Sequence, residues 1–213
     1  MTRVLVFDTE TTGLLNSNPY ITQLSCLIYN IENKKIERCL NSYVKIPEEV
    51  IIPEIVTKLT GITKEICNEK GNNIQDVLVS FYEEYMVSDI IVSHNIEFDK
   101  AMIQLEINRI IENNKNTKHI YLKNLFNDKY DKIFNIKHYC TMKTTIQFCN
   151  IKKNEKYKTL KYPKLIELYE KLFQTKPENL HNSEIDTLVC LRCYLKMVYK
   201  IDINYEEALL SIL

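Results

Sequence analysis

A chain of 213 residues, 45% of them hydrophobic, has room for one domain with a substantial core. Its 28 basic and 28 acidic side chains cancel, which excludes a globally basic nucleic-acid binder and leaves any phosphate-binding surface to be local. Three glycines, at 13, 61 and 71, exclude a GxGxxG dinucleotide fold and a phosphate-cradling P-loop.

The opening MTRVLVFDTE has a short apolar run stopped by acids, so neither a secretory signal nor a membrane span is expected there, and the chain is read as intracellular. Val4, Leu5, Val6 and Phe7 suit a central strand buried on both faces. From Tyr20, Leu24, Cys26 and Ile28 alternate with Gln23, Ser25 and Leu27, and residues 35–46 also suit extended chain; these two predict antiparallel strands beside the first. Segments 53–60 and 74–87 carry helical spacing, 89–93 reads as a buried strand, and a helix follows over 96–111.

Residues 112–164 are rich in Asn and Lys and break the pattern. A helix is expected around 120–134 and a last strand at Tyr139-Cys140-Thr141, with part of the segment read as an insertion. Lys164 opens an amphipathic helix through Leu165, Ile166, Leu168, Tyr169 and Leu172; a long helix covers about 183–200, and a short apolar one includes Ala208, Leu209 and Leu210. The sum is a single α/β domain over 1–213, a mixed sheet flanked by helices. Seven scattered cysteines predict reduced thiols, and Cys190-x-x-Cys193 lies in a helical pattern with no second pair to complete a zinc site.

Three short segments carry the chemistry. Asp8 and Glu10 end the first strand, and period-two alternation projects both from one face, about 7 Å apart along the chain, where two carboxylates can share a metal. Alone, an Asp-x-Glu is better read as a solvated strand end. Asp99, in the segment SHNIEFD at 93–99, falls in a first helical turn, where the helix dipole also favours an acid. Asp186, in HNSEID at 181–186, fits a Ser-x-x-Asp capping box with Ser183; that local reading leaves His181 unexplained, five positions earlier on a loop that could aim it at the same cleft. His94 is read as a local hydrogen-bonding residue, and neither His119 nor His138 is assigned to chemistry.

With DTETTG at 8–13, SHNIEFD at 93–99 and HNSEID at 181–186, the chain resembles the DEDDh exonucleases, the group that includes the proofreading subunit or domain of bacterial replicative polymerases. Leu14 and the LTGIT segment at 59–63 match as well; Thr60 stands where some relatives have His, and Ser183 where many have Ala. The resemblance implies a ribonuclease H-like fold with a central mixed five-stranded sheet. It also implies metal-dependent 3′-to-5′ hydrolysis of DNA that releases nucleoside monophosphates, in proofreading or repair. Asp8, Glu10, Asp99 and Asp186 would hold two Mg²⁺ or Mn²⁺ ions, Asp8 bridging both, and two such ions about 3.5–4 Å apart suit an in-line displacement. His181 would take the proton of the attacking water, a task suited to imidazole. Main-chain groups at Thr9 and Thr11 would hold the 3′ hydroxyl, and Leu14, Ile62 and Phe98 would meet the terminal base.

Lysines at 115, 118, 123, 129, 132 and 137, and again at 152, 153, 156, 158, 161 and 164, are candidates for a local surface that tracks single-stranded DNA or RNA ending in a free 3′ terminus. An RNA-trimming exoribonuclease stays open as an alternative. A non-catalytic docking module for a DNA polymerase or replication complex is the reading from a different class, whose mark would be a broken ligand set.

Overall fold

The computed structural model describes residues 1–113, 118–153, 159–177 and 180–212. Among them lies one five-stranded mixed sheet. Its strands are β1 (Arg3–Thr11), β2 (Ile21–Asn30), β3 (Lys35–Tyr43), β4 (Ile90–Ser93) and β5 (Lys137–Cys140), in the order β3-β2-β1-β4-β5. β1, β2 and β3 run antiparallel in turn, whereas β4 and β5 join parallel to β1. The helices are α1 (Glu54–Thr60), α2 (Lys64–Lys70), α3 (Ile74–Met86), α4 (Ile96–Asn113), α5 (Asp128–Phe134), α6 (Thr141–Thr144), α7 (Ile146–Cys149), α8 (Leu165–Phe173), α9 (Ser183–Val198) and α10 (Tyr205–Ile212). None of the described helices is long and apolar enough to cross a membrane.

The apolar run of β1 is continuous because both of its faces are covered. Leu5 and Phe7 join Leu24, Cys26, Ile28 and Ile91 beneath α3 and α4, whereas Val4 and Val6 join Leu27, Tyr29 and Val92 beneath α9. All ten residues of β2 are buried, so its polar members, Gln23 and Ser25 among them, are interior groups and not a wet face.

Two local expectations change. Residues 64–70 form a helix that apolar spacing does not reveal, because only Cys67 of the seven is buried; the signals are at its ends, where the Thr63 hydroxyl accepts from the Ile66 N–H at 3.3 Å and Gly71 follows. The last strand is 137–140, not 139–141. Its partner β4 ends at Ser93, opposite Cys140, so Thr141 has no ladder to join and opens α6.

From the 112–164 segment, residues 118–149 supply β5 together with buried Leu122, Leu125, Phe126 and Ile136, and Phe126 packs its ring 5.4 Å from that of Phe7. Lys115, Lys156 and Lys158 lie outside the described residues. All seven cysteines are free thiols, and Cys39 alone is exposed.

Gly71 seats α2 against the end of β3, where Asn72 bridges Val44. A Cβ there would sit 2.1 Å from the Cys67 carbonyl oxygen and 2.6 Å from the Lys45 nitrogen, both backbone atoms that cannot rotate away. Gly71→Ala is expected to destabilise by about 1–3 kcal/mol, which lowers the melting temperature by about 3–10 °C for a domain of this size. A melt within a degree of the parent would show that the α2–β3 contact yields freely.

Candidate active site

β1 carries Asp8 and Glu10 on the side of Val4 and Val6, the side roofed by α9. Across the antiparallel ladder Asp8 faces Ser25 and Glu10 faces Gln23, and the register slips between Glu10 and Thr11, a bulge that ends regular pairing at the site. Those two β2 residues begin a buried polar layer. The Gln23 amide and the Ser25 hydroxyl both donate to Asn41 Oδ1, at 2.9 and 3.0 Å, and the Ser25 and Ser183 hydroxyls lie 2.6 Å apart. Asn41 also donates to Glu184 at 2.8 Å. The first turn of α9 is thereby tied to β2 and β3, and this brings Asp186 over β1.

Asp186 is not part of a capping box. The N-cap of α9 is Asn182, whose side chain accepts from the Glu184 N–H at 3.0 Å, and Ser183 is turned into the buried layer. One Asp186 oxygen accepts the His181 N–H at 3.2 Å, while the other, Oδ1, is buried and has no hydrogen-bond partner. Oxygens of Asp8, Glu10 and Asp186 all lie within 4.8 Å of one another.

Asp99 arrives from the opposite side of the sheet, on α4. It is 3% exposed, and its carboxylate is held by β-strand neighbours and not by its own helix: Oδ1 accepts from the Thr9 N–H at 3.2 Å and the Thr9 hydroxyl at 2.8 Å, and Oδ2 from the Ser93 hydroxyl at 2.5 Å. Thr9, between Asp8 and Glu10, points to the other face by strand alternation and so reaches Asp99. Ser93 has the same holding role, which its place at the start of SHNIEFD does not by itself disclose.

Burial and mutual repulsion raise the proton affinity of the group. Asp8 is pushed well above the ordinary aspartate value by burial, then by Asp99, Asp186 and Glu10. Burial, then Asp186 and Asp99, raises Glu10 to about 8; burial raises Asp186 to about 7, with Asp99 adding to it. Asp99 rises to about 6, burial outweighing the Ser93 and Thr9 hydrogen bonds that favour its charge. Among the described residues no Lys, Arg or His forms an ion pair with any of the four. Clustered carboxylates, an orphaned buried oxygen and no protein cation form a donor set that fits a hard divalent cation.

The other predicted residues are placed as follows. His181 is exposed, with φ +72°, and meets the cluster through its main chain; burial and the nearby Lys164 charge lower its pKa from the ordinary imidazole value. Leu14 is 70% exposed just beyond Gly13, and the Thr11 hydroxyl donates to the Gly13 carbonyl at 2.7 Å. Ile62 is buried with Ile46 and Cys67, and Phe98 is partly buried against the α3–α4 core. His94 is a structural tie, with Nδ1 at 2.9 Å from the Thr141 hydroxyl and Nε2 at 2.9 Å from the Pro163 carbonyl.

The mixed α/β sheet thus carries converging carboxylates at the end of its first strand. Residues 5–194 match the RNase_T exonuclease family, and the chain belongs to that family. Among curated proteins it is 31% identical over 143 residues to the PolC-type DNA polymerase III of Caldanaerobacter subterraneus, covering 62% of this chain and 10% of that one. It is 33% identical over 108 residues to the PolC-type polymerase of Staphylococcus epidermidis, covering 50% of this chain and 7% of that one. The chain thus spans about a tenth or less of these polymerases. Similar solved structures include E. coli Exonuclease I with a dT13 oligonucleotide, at TM-score 0.67 and 16% identity over 92% of this chain and 41% of that one. Another is the nuclease domain of 3′hExo, a DEDDh family member bound to rAMP, at TM-score 0.64 and 16% identity over 93% and 92%.

The raised carboxyl pKa values give a sign for stability. In the folded state these groups hold protons that the unfolded chain releases near pH 4. Their contribution is therefore present below that pH and lost as pH rises through about 6 to 8. Metal-free protein should melt lower at pH 8.5 than at pH 5.5, a divalent cation should raise the melt more at pH 8.5, and Asp186→Asn should raise the metal-free melt there. An equal cation effect at both pH values, read by differential scanning fluorimetry, would contradict this account.

Proposed function

We propose that this chain is a divalent-metal-dependent 3′-to-5′ exonuclease that shortens DNA from its 3′ end in a proofreading or repair setting. The observation that carries the reading is the gathering of Asp8, Glu10 and Asp186 oxygens within 4.8 Å, one of them buried and unpartnered, in a chain of an exonuclease family. The curated relatives reported above are DNA polymerases, which favours DNA over RNA and makes a polymerase or replication complex the partner class.

Asp8, Glu10 and Asp186 would hold one cation, and Asp8 with Asp99 a second, with Mg²⁺ or Mn²⁺ as the ions that an all-carboxylate shell suits. Two such ions supply positive charge for the attacking and leaving oxygens of an in-line displacement at phosphorus. Thr9 and Ser93 keep Asp99 in place, with hydrogen bonds that favour its charge. His181, largely neutral at pH 7 because its pKa is lowered, accepts the proton of the attacking water. Its left-handed backbone and N–H tie to Asp186 fix the loop from which the ring reaches the reaction. Exposed Leu14 stacks on the terminal base, Ile62 and Phe98 are the other candidates to meet it, and main-chain groups at Thr9 and Thr11 hold the 3′ hydroxyl. Exposed Lys152 and Lys153, with Lys156 and Lys158 beside them in sequence, would track the strand.

Hydrolysis of 5′-end-labelled and 3′-end-labelled single-stranded DNA and RNA, with Mg²⁺, Mn²⁺ or chelator, tests direction, metal need and sugar together. Stepwise shortening of 5′-labelled DNA is expected, abolished by chelator and by Asp8→Ala, with His181→Ala slowing turnover by about 10²–10⁴-fold. Intact substrates throughout would favour a docking module, and RNA cleaved in preference to DNA would favour RNA trimming.

Neutralising Lys152, Lys153, Lys156 and Lys158 together should raise KM for DNA and flatten its salt dependence. The log–log slope is expected to fall by about 0.7 for each phosphate contact removed. A KM and salt slope equal to the parent's would remove these lysines from the substrate path.

A further inference from the structure

Arg109 stands near the far end of α4, the helix whose first turn carries Asp99, and its guanidinium is turned onto the 12–20 connection between β1 and β2. Nη2 donates to the Asn18 carbonyl and Asn18 Oδ1, and Nη1 to the Pro19 carbonyl and Glu106 Oε1, all at 2.8 Å. The guanidinium carbon lies 3.8 Å from the centre of the Tyr20 ring. Glu106, 3% exposed, also accepts the Ile21 N–H at 3.0 Å, so the ion pair holds the first residue of β2 as well.

The connection is further closed by Thr12 N–H to the Tyr20 carbonyl at 2.9 Å and Tyr20 N–H to the Thr12 hydroxyl at 3.0 Å. Ser17 folds its N–H and hydroxyl onto the Leu14 carbonyl, at 2.9 and 2.7 Å. What this bracing displays is an apolar tip, Leu14 at 70% and Leu15 at 43% exposure, four and five residues past Glu10. A buried ion pair is weak evidence for stability in itself, because desolvation offsets its attraction. Its use here is geometric: a planar fork that reaches two carbonyls while stacking on an aromatic ring is something lysine cannot reproduce.

We propose that Arg109 is a positioning residue for the 3′-terminal nucleotide: it clamps the 12–20 connection so that Leu14 is held ready for the terminal base. The ten residue steps of α4 from Asp99 to Arg109 rise about 15 Å and act as a rigid spacer between the acidic cluster and that connection. The role of Leu14 rests on the exonuclease reading; the clamp itself does not.

Two measurements on the full chain test this. In steady-state cleavage of single-stranded DNA, Arg109→Ala should raise KM about tenfold, the size of one lost base contact, while kcat stays within about threefold. Arg109→Lys, which keeps the charge and loses the fork, should shift KM in the same direction and serves if the alanine variant fails to fold. Leu14→Ala should also raise KM, and the double variant should be no worse than the larger single one, because both remove one contact. In hydrogen exchange, the amides of residues 14–18 should open about tenfold faster in either Arg109 variant while those of β4 do not change. Multiplying effects in the double variant, a loss confined to kcat, or unchanged exchange at 14–18 would overturn the proposal. Exchange reads the clamp even if the parent cuts no nucleic acid, an outcome that would count against the exonuclease reading alone.

Discussion

Four carboxylates gathered at one end of a buried strand repel one another, and much of the surrounding structure exists to hold them there. Left to themselves they would separate or stay protonated, as the raised pKa values of Asp8, Glu10, Asp99 and Asp186 record. The protein offers them no cationic side chain among the described residues. It fixes them mechanically and leaves the balancing charge to come from outside.

The fixing is two-sided. β1 is the middle strand of the sheet, and its alternation sends Asp8 and Glu10 to one face and Thr9 to the other. On the first face, Gln23, Ser25 and Asn41 tie the start of α9 down so that Asp186 closes on the pair. On the second, Thr9 and Ser93 grip Asp99 at the start of α4. The site therefore needs both helical layers at once. The same α4, ten residues on, braces the connection that presents Leu14, so one rigid element sets the relation of the acidic cluster to that exposed apolar tip.

Residues far from the cluster serve the same end. β5 extends the sheet beyond β4 and ends where His94, next to Ser93, links Thr141 to Pro163. His94 is pushed down to about 4 by burial, so it stays neutral and keeps these two hydrogen bonds across the working pH range. A stretch that reads in sequence as Asn- and Lys-rich irregularity thus contributes a strand and an aromatic core contact through Phe126.

The sequence by itself determined the central strand, its neighbours and the long helices, because apolar runs and alternation record burial directly. It also offered the four acids and His181 as candidates, through three short motifs that together resemble one family. The ends of α2 were written in Thr63 and Gly71, but seven residues with one buried side chain carry no period to detect. Only the tertiary structure decided which side of the sheet each acid approaches from, that Asn182 and not Ser183 caps α9, and that Gln23, Ser25, Asn41 and Ser93 serve the site. It alone joined Arg109 to a connection some ninety positions earlier. These are contacts between polar groups distant in the chain, and a hydrogen bond between strands or layers leaves no period in the sequence from which it could be read.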